Sequence, residues 1–332
     1  MKIALLGAGL IGRKRGKDLG GHALVGVYDP QAERARALAS ELGTEAFESE
    51  GALLERSGAE LVVVATTNAS LHAAASRAVA AGRHVLVEKP AGLSVAEIEE
   101  LARLARQRGV AVKVGFNHRF HPALLETRRL VEAGQLGPLM FLRARYGHGG
   151  RLGYESEWRA RPELSGGGEL LDQGVHLLDL VHAFFGPLPL RSAFVTTSFW
   201  RMPVDDNAVV TLVGSEAPPR WATFHVSSSE WKNTFSLELY GRDGKVLVQG
   251  LGGSYGKETL TYYRMLPQMG PPETEVLEFE GPDRSFGLDL ENLVAHVTSG
   301  VPLEGDLSSA RYAMEIVRDA YRLNGFALPS SA

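Results

Sequence analysis

The chain has 332 residues, a formal net charge of −4, 44% hydrophobic and 22% charged side chains, and no cysteine. That length suits about two domains with a real core, and the composition argues against disorder. The missing cysteine excludes disulfides and thiolate chemistry, and the mildly acidic balance without a basic run argues against nucleic acid as the main partner. Lys2–Gly7 reads as an apolar strand and Gly9–Gly20 as a helix. The apolar start runs directly into glycines followed by Arg13, Lys14 and Arg15, the wrong order for a secretion signal. Apolar runs stay below the roughly 20 residues of a membrane span. The expectation is a cytoplasmic protein with no membrane partner.

Ala23–Asp29 reads as a second strand, and Pro30 in a first helical turn opens a helix over Gln31–Leu42. A short strand is expected near Glu45–Phe47. Leu61–Thr66 has the unbroken apolar character of a strand buried on both faces. Ser70 is a candidate cap for a helix to Ala81, closed by Gly82. Val85–Glu88 is the next strand. Ser94 and Glu97 form a capping box for a helix to Arg108, ended by Gly109, and Ala111–Phe116 is a further strand. Alternating strands and helices of these lengths predict a parallel, doubly wound sheet with right-handed crossovers.

Two motifs carry chemistry in this first third. Gly7-Ala8-Gly9-Leu10-Ile11-Gly12 lies between the first strand and first helix. Gly7 permits a tight turn, Gly9 a close approach of the backbone to a pyrophosphate, and Gly12 close helix–strand packing. Asp29 follows at the expected distance and can accept hydrogen bonds from ribose hydroxyls. Its charge repels a 2′-phosphate, which favours NAD over NADP, although Arg34 nearby blurs that preference. Thr66 and Asn68, with Thr67, can line the same cleft or serve as ordinary turn residues. The second motif is Glu88-Lys89-Pro90. Proline stops the strand and biases Lys89 toward an extended backbone, at the sheet edge where open α/β folds bind ligands. A cis bond to Pro90 would aim the amine into the cleft. The alternative is a plain Lys-Pro surface turn.

The rhythm changes after Asn117-His118-Arg119-Phe120-His121-Pro122, where the domain boundary is placed. Residues 1–120 are expected to bind the dinucleotide and residues 121–332 to form an α+β substrate and oligomerisation domain whose last helix can pack back on the first. Pro122–Gly134 reads as a helix and Leu139–Tyr146 as a strand. A polar stretch with His148, Tyr154, Trp158 and Arg159 supplies candidate substrate contacts, alongside Asn117. Ser165-Gly166-Gly167-Gly168 then leads into a helix over Leu170–Phe185, on which Asp172, His176 and Asp179 share one face. Glycines there let a backbone or a ligand approach. Seven alternating runs between Ser192 and Phe279 predict a mostly antiparallel open sheet covered by helices, with a hairpin at Gly241–Gly244. Helices over Phe286–Thr298 and Leu307–Leu323 close the chain, the latter capped by Asp306. The carboxylate and histidine one turn apart on the glycine-led helix can be a surface pair, metal ligands or an acid–base unit. His182 lies on another face, so no metal site is assigned.

Taken together, the glycine turn, Glu88-Lys89-Pro90, and Gly167-Gly168 leading to Asp172, Gly174 and His176 resemble the Gfo/Idh/MocA oxidoreductases over nearly the whole length. The resemblance implies a Rossmann domain, a C-terminal open sheet that joins copies into a homodimer or homotetramer, and hydride transfer between NAD(P) and a sugar-type or polyol substrate: a sugar, nucleotide-sugar or cyclitol. It maps the family's lysine to Lys89, its aspartate to Asp172 and its histidine to His176. His176 is then the base that takes the hydroxyl proton, Lys89 the ammonium that stabilises charge on that oxygen, and Asp172 a partner of a neighbouring hydroxyl or of the other two. The Lys89 and His176 roles can be exchanged. Glu88 either sets the charge state of Lys89 or only ends the strand, and both residues are expected, with Gly7, Gly9, Leu10, Ile11, Gly12, Asp29, Thr66 and Asn68, to contact the cofactor. Two other readings keep the cofactor: a glycosidase that oxidises a sugar transiently, and a non-enzymatic NAD-binding sensor.

Overall fold

β1 (Lys2–Leu6), β2 (Ala23–Tyr28), β3 (Leu61–Val64), β4 (His84–Val87) and β5 (Val112–Val114) form a parallel sheet in the order β2-β1-β3-β4-β5. β3 and most of β4 are buried and wholly apolar, as helices on both faces require. The structure is a computed structural model that describes residues 1–326. Among the described residues the chain forms two units, one of Met1–Asn117 with Phe286–Arg311, the other of His118–Ser285 with Tyr312–Phe326. In the first unit α1 (Leu10–Lys17), α2 (Ala32–Leu42), α3 (Glu50–Arg56), α4 (Asn68–Ala80) and α5 (Val95–Arg108) connect the strands. The strand order reverses at β1, which places a crevice beyond the carboxyl ends of β1 and β3.

Several local expectations shift. α3, capped by Ser49 Oγ accepting from Ala52 N–H, was not expected. The strand near Glu45–Phe47 is a single bridge, Ala46 to Val27. α4 starts at Asn68 after Thr67, earlier than Ser70, and Pro30 precedes the Gln31 cap of α2. The larger correction concerns α9 (Ser285–Ser299). Expected in the second domain, it contributes Leu290 and Leu293 to the core formed by Ile3, Leu5, Val27, Leu61 and Leu86.

A buried ionic network joins these elements. Arg15 on α1 is 1% exposed. Its Nε–H donates to Glu88 Oε1 at 2.7 Å, and its Nη1 lies 2.7 Å from Asp289 Oδ2 on α9. Lys113 on β5, fully buried, lies 3.3 Å from Asp289 Oδ1, donates to Asn292 Oδ1 at 2.9 Å and reaches the Glu304 carbonyl. Two cations and two carboxylates balance, the condition under which charges tolerate burial. Gly115 makes room for them. A Cβ there would sit 2.6 Å from Arg15 Nη2 and 2.9 Å from Glu88 Oε1.

The second unit begins with α6 (Pro122–Glu132). Its sheet holds β6 (Leu139–Gly147), β7 (Leu190–Thr196), β8 (Asn207–Val213), β9 (Trp221–Ser227), β10 (Thr234–Gly241), β11 (Gly244–Gln249), β12 (Glu258–Arg264) and β13 (Glu273–Phe279), ordered β13-β12-β11-β10-β6-β9-β8-β7. All neighbours are antiparallel except β6 and β9. Burial alternates strictly along β10, the mark of a sheet with one covered face. α7 (Pro162–Ser165), a π turn (Leu170–Gly174) and α8 (Val175–Phe185) follow one another, and α10 (Leu307–Leu323) ends the described elements. What approaches the glycines before the π turn is the chain's own backbone. A Cβ on Gly168 would lie 1.9 Å from the Asp205 carbonyl oxygen, and the buried Asp205 carboxylate accepts the Gly168 and Leu170 N–H groups and the Tyr321 hydroxyl. Among the described residues no helix is long and apolar enough to cross a membrane.

Replacing Arg15 by methionine leaves Glu88 and Asp289 buried without their shared cation. The expected loss is about 3–5 kcal/mol of unfolding free energy, measured by urea denaturation; a loss under about 1 kcal/mol would contradict the network's role.

Candidate active site

The residues singled out by sequence fall into two groups, one in each unit. In the first, β1 ends at Leu6 and the glycine turn follows. Gly7 has φ +100°, and a Cβ on it would meet the Ala65 carbonyl oxygen at 2.3 Å. A Cβ on Gly12 would meet the Gly7 carbonyl oxygen at 1.9 Å. The protein's own packing therefore requires both glycines. Gly9 differs: it caps α1 in an extended conformation open to any residue, and no protein atom lies within 4 Å of a Cβ built there. The open cradle at the N-terminus of α1, lined by orphan amides and by Leu10 at 70% exposure, fits a pyrophosphate. Ile11 and Gly12 continue the first turn.

Asp29, at the tip of β2, accepts the Ala8 N–H and the Gln31 N–H, each at 2.8 Å. Those bonds fix the carboxylate beside the glycine turn. Thr66 follows β3, and Asn68 is buried in the first turn of α4. At the end of β4, Glu88, Lys89, Pro90 and Ala91 make a turn closed by Ala91 N–H donating to the Glu88 carbonyl at 3.0 Å. The Lys89–Pro90 bond is cis, and Ala91 has φ +71°. The Glu88 side chain, expected near the cofactor, pairs with Arg15, and Lys89 is half-buried at the same sheet edge as the glycine turn.

The second group surrounds the π turn and α8. His176, 5% exposed, stacks on His118 with centroids 3.9 Å apart and 19° between planes. Tyr146, at the end of β6, meets both rings edge-on, at 5.1 Å from His118 and 6.4 Å from His176. Burial, then Tyr255, then the carboxylates Asp172 and Glu169 push the Tyr146 phenol well above its usual range, so it remains a neutral donor paired with Tyr255. Asp172 accepts from Arg159 Nε at 3.0 Å, and Arg159 also lies over the Trp158 ring. His148 Nε2 sits 3.5 Å from Glu169 Oε2, and the His148 ring meets Tyr154 edge-on at 5.5 Å. Burial disfavours the His148 imidazolium, but the hydrogen bond and charge of Glu169, with Asp172 behind them, outweigh it and raise the imidazole above its usual 6.5. Asn117, the last residue of this stretch of the first unit and so apart from this group, is buried where a 3₁₀ turn over Asn117–Phe120 begins. Asp179, predicted on the face of Asp172 and His176, is fully buried and holds Arg119 through both oxygens, at 2.7 and 2.6 Å.

Sequence patterns missed His118, Tyr146, Glu169 and Tyr255. Tyr146 had a usable signal: it shares strand parity with the buried Leu142. The others lie in loops or turns whose contacts no periodicity encodes.

Comparison with known proteins follows the same division. Residues 1–116 match an oxidoreductase family with an NAD-binding Rossmann fold, GFO/IDH/MocA, and residues 124–247 match the GFO/IDH/MocA C-terminal domain. The chain is 29% identical to scyllo-inositol 2-dehydrogenase (NAD(+)) of Bacillus subtilis, over 75% of this chain and 73% of that one. It is 37% identical to dTDP-3,4-didehydro-2,6-dideoxy-alpha-D-glucose 3-reductase of Streptomyces violaceoruber, over about half of each, 48% and 46%. The fold matches UDP-N-acetylglucosamine 3-dehydrogenase from Acidithiobacillus ferrooxidans with a TM-score of 0.82 at 22% identity, covering 98% and 97% of the two chains.

Two outcomes are expected from these geometries. Gly9→Ala changes stability by less than about 1 kcal/mol yet weakens NAD binding by about tenfold or more, whereas Gly12→Ala destabilises the fold as well; calorimetric titration and thermal melts separate the two. His148 titrates above 6.5 by NMR, and Glu169→Gln lowers its midpoint. A raised histidine pKa stabilises only while the ring is protonated. The stability difference between the two proteins is therefore largest below pH 6.5 and shrinks as pH rises through the His148 midpoint.

Proposed function

The chain belongs to the GFO/IDH/MocA oxidoreductase family, an NAD-binding one, and from that premise we propose that it transfers a hydride between the nicotinamide and a secondary alcohol or ketone of a sugar, nucleotide-sugar or cyclitol. The supporting observation lies within one sheet. Lys89 ends β4, and the glycine turn with its open cradle ends β1, with only β3 between those strands. An ammonium at that edge suits an oxygen whose carbon exchanges hydride with a dinucleotide on the turn.

When bound, NAD would supply the hydride acceptor or donor. Gly9 and the amides of α1 hold its pyrophosphate, and Asp29 accepts from the ribose hydroxyls and disfavours a 2′-phosphate, so NAD is preferred to NADP. His176 removes the hydroxyl proton in the oxidative direction and returns it in the reductive one. Lys89 donates a hydrogen bond to the alcohol oxygen and stabilises its developing charge. Asp172, oriented by Arg159, accepts from a neighbouring substrate hydroxyl. His148, Tyr154, Trp158 and Asn117 contribute substrate contacts. We assign substrate binding and oligomer formation to the second unit, through the uncovered face of its sheet, and place the protein in the cytoplasm.

Lys89→Ala is expected to lower turnover by roughly 10²–10⁴-fold, with the NAD dissociation constant changed less than about twofold. The measurement is NAD and NADP reduction across inositols, hexoses and nucleotide-sugars. Wild-type-like turnover in the variant, or no turnover by the parent on the whole panel, would sink the assignment.

A further inference from the structure

One built feature of the second unit has no part in the chemistry above. Phe199 is 54% exposed and Trp231 65% exposed, and their rings meet edge to face at 4.7 Å. Contiguous exposed apolar surface, unlike a single scattered residue, marks an interaction site. These two are also held in place. The fully buried Asp206 carboxylate accepts three successive amides, Ser198 and Phe199 at 2.7 Å and Trp200 at 2.9 Å. The Trp200 indole N–H donates to the Ser228 carbonyl at 2.9 Å. Trp231 takes φ +56°, a left-handed conformation that a bulky side chain adopts only at a cost. The preceding loop is cut away to admit both tryptophans. A Cβ on Gly150 would lie 2.4 Å from the Trp200 ring, and one on Gly149 2.9 Å from the Trp231 Cα.

Ring contacts link the pair to the polar cluster around His148. From Trp231 and Phe199 the rings run to Trp200 at 5.0 Å, to Tyr154 at 5.4 Å, and to His148 at 5.5 Å. Exposed cations adjoin it in the chain, Arg201 after Trp200 and Lys232 after Trp231. The carboxylate of the same segment, Glu230, is turned to Arg145 at 2.9 Å. Exposed aromatic faces beside unspent positive charge suit a planar ring that carries phosphate, because stacking tolerates any base and the cations attract the phosphates.

We propose that Phe199 and Trp231 form a subsite for the base of a nucleoside diphosphate, and that the substrate class is nucleotide-sugar rather than free sugar or cyclitol. The proposal rests on the reading that this chain oxidises or reduces a sugar alcohol. The sugar lies at the polar cluster of His148, Tyr154 and Asp172, while the base stacks on the aromatic pair.

UDP, dTDP and inorganic pyrophosphate, titrated calorimetrically into the full chain, test the subsite. UDP or dTDP is expected to bind, pyrophosphate to bind at least tenfold more weakly, and Phe199→Ala/Trp231→Ala to lose about tenfold or more of the nucleotide affinity with NAD binding intact. With UDP-N-acetylglucosamine and free N-acetylglucosamine as substrates, only the former's kcat/KM should fall in the double variant. Pyrophosphate binding as tightly as UDP, or unchanged nucleotide affinity in the double variant, would overturn the subsite. So would a shift to monomer by light scattering at unchanged affinity, since the pair would then be a contact between copies. Nucleotide binding that depends on the pair, in a protein that turns over no alcohol, would uphold the subsite and defeat the functional reading.

Discussion

The first unit depends on one buried cation. Arg15 leaves the helix that opens at the glycine turn and reaches Glu88, next to Lys89, on one side and Asp289 of α9 on the other. A guanidinium is suited to this because its planar fork satisfies two carboxylates from fixed directions. The consequence is geometric. The helix that opens at the glycine turn and the strand tip that carries the lysine share a rigid connection, and any shift of one disturbs a charge balance that burial makes expensive to upset. Lys113 completes the balance from β5, and Gly115 stays small so that the charges can meet.

The same economy of space explains the glycine turn. Gly7 and Gly12 are demanded by atoms of the protein, whereas no protein atom presses on a Cβ at Gly9. A motif that looks like three equivalent glycines therefore divides into two positions fixed by packing and one that packing leaves open. Asp29 works in a comparable way. Its carboxylate is bound to the backbone amides of Ala8 and Gln31, so its charge is held in one orientation beside the glycine turn.

In the second unit the constraint is the approach to α8. Asp205 and Tyr321 hold the backbone at Gly168 and Leu170, and a π turn follows before α8 becomes regular. π turns recur at functional sites because they displace side chains from regular helical positions. Asp172 and His176 flank this turn's end, and their partners differ, Arg159 for one and the His118 ring for the other. Polar groups crowd here with few exposed atoms, so each must be paired, and the pairing sets which can exchange a proton.

Periodicity and turn chemistry are local properties, and they carried most of the architecture. The strand–helix alternation, the glycine turn with Asp29, the strand stop at Glu88-Lys89-Pro90, the alternating strands of the large sheet and the Asp306 cap were all readable in the chain. Their causes lie within a few residues: burial on two faces, a fixed proline φ, a side chain that bonds the next turn. What the sequence could not express were relations between residues far apart along it. α9 joins the first core because Leu290 and Leu293 find Leu5 and Leu86, more than 200 residues away. Glu88 belongs to Arg15, Asp179 to Arg119 and His148 to Glu169 for the same reason. A charged or aromatic side chain has many possible partners in a linear chain, and only the packed structure, which forbids an unpaired buried charge, selects one.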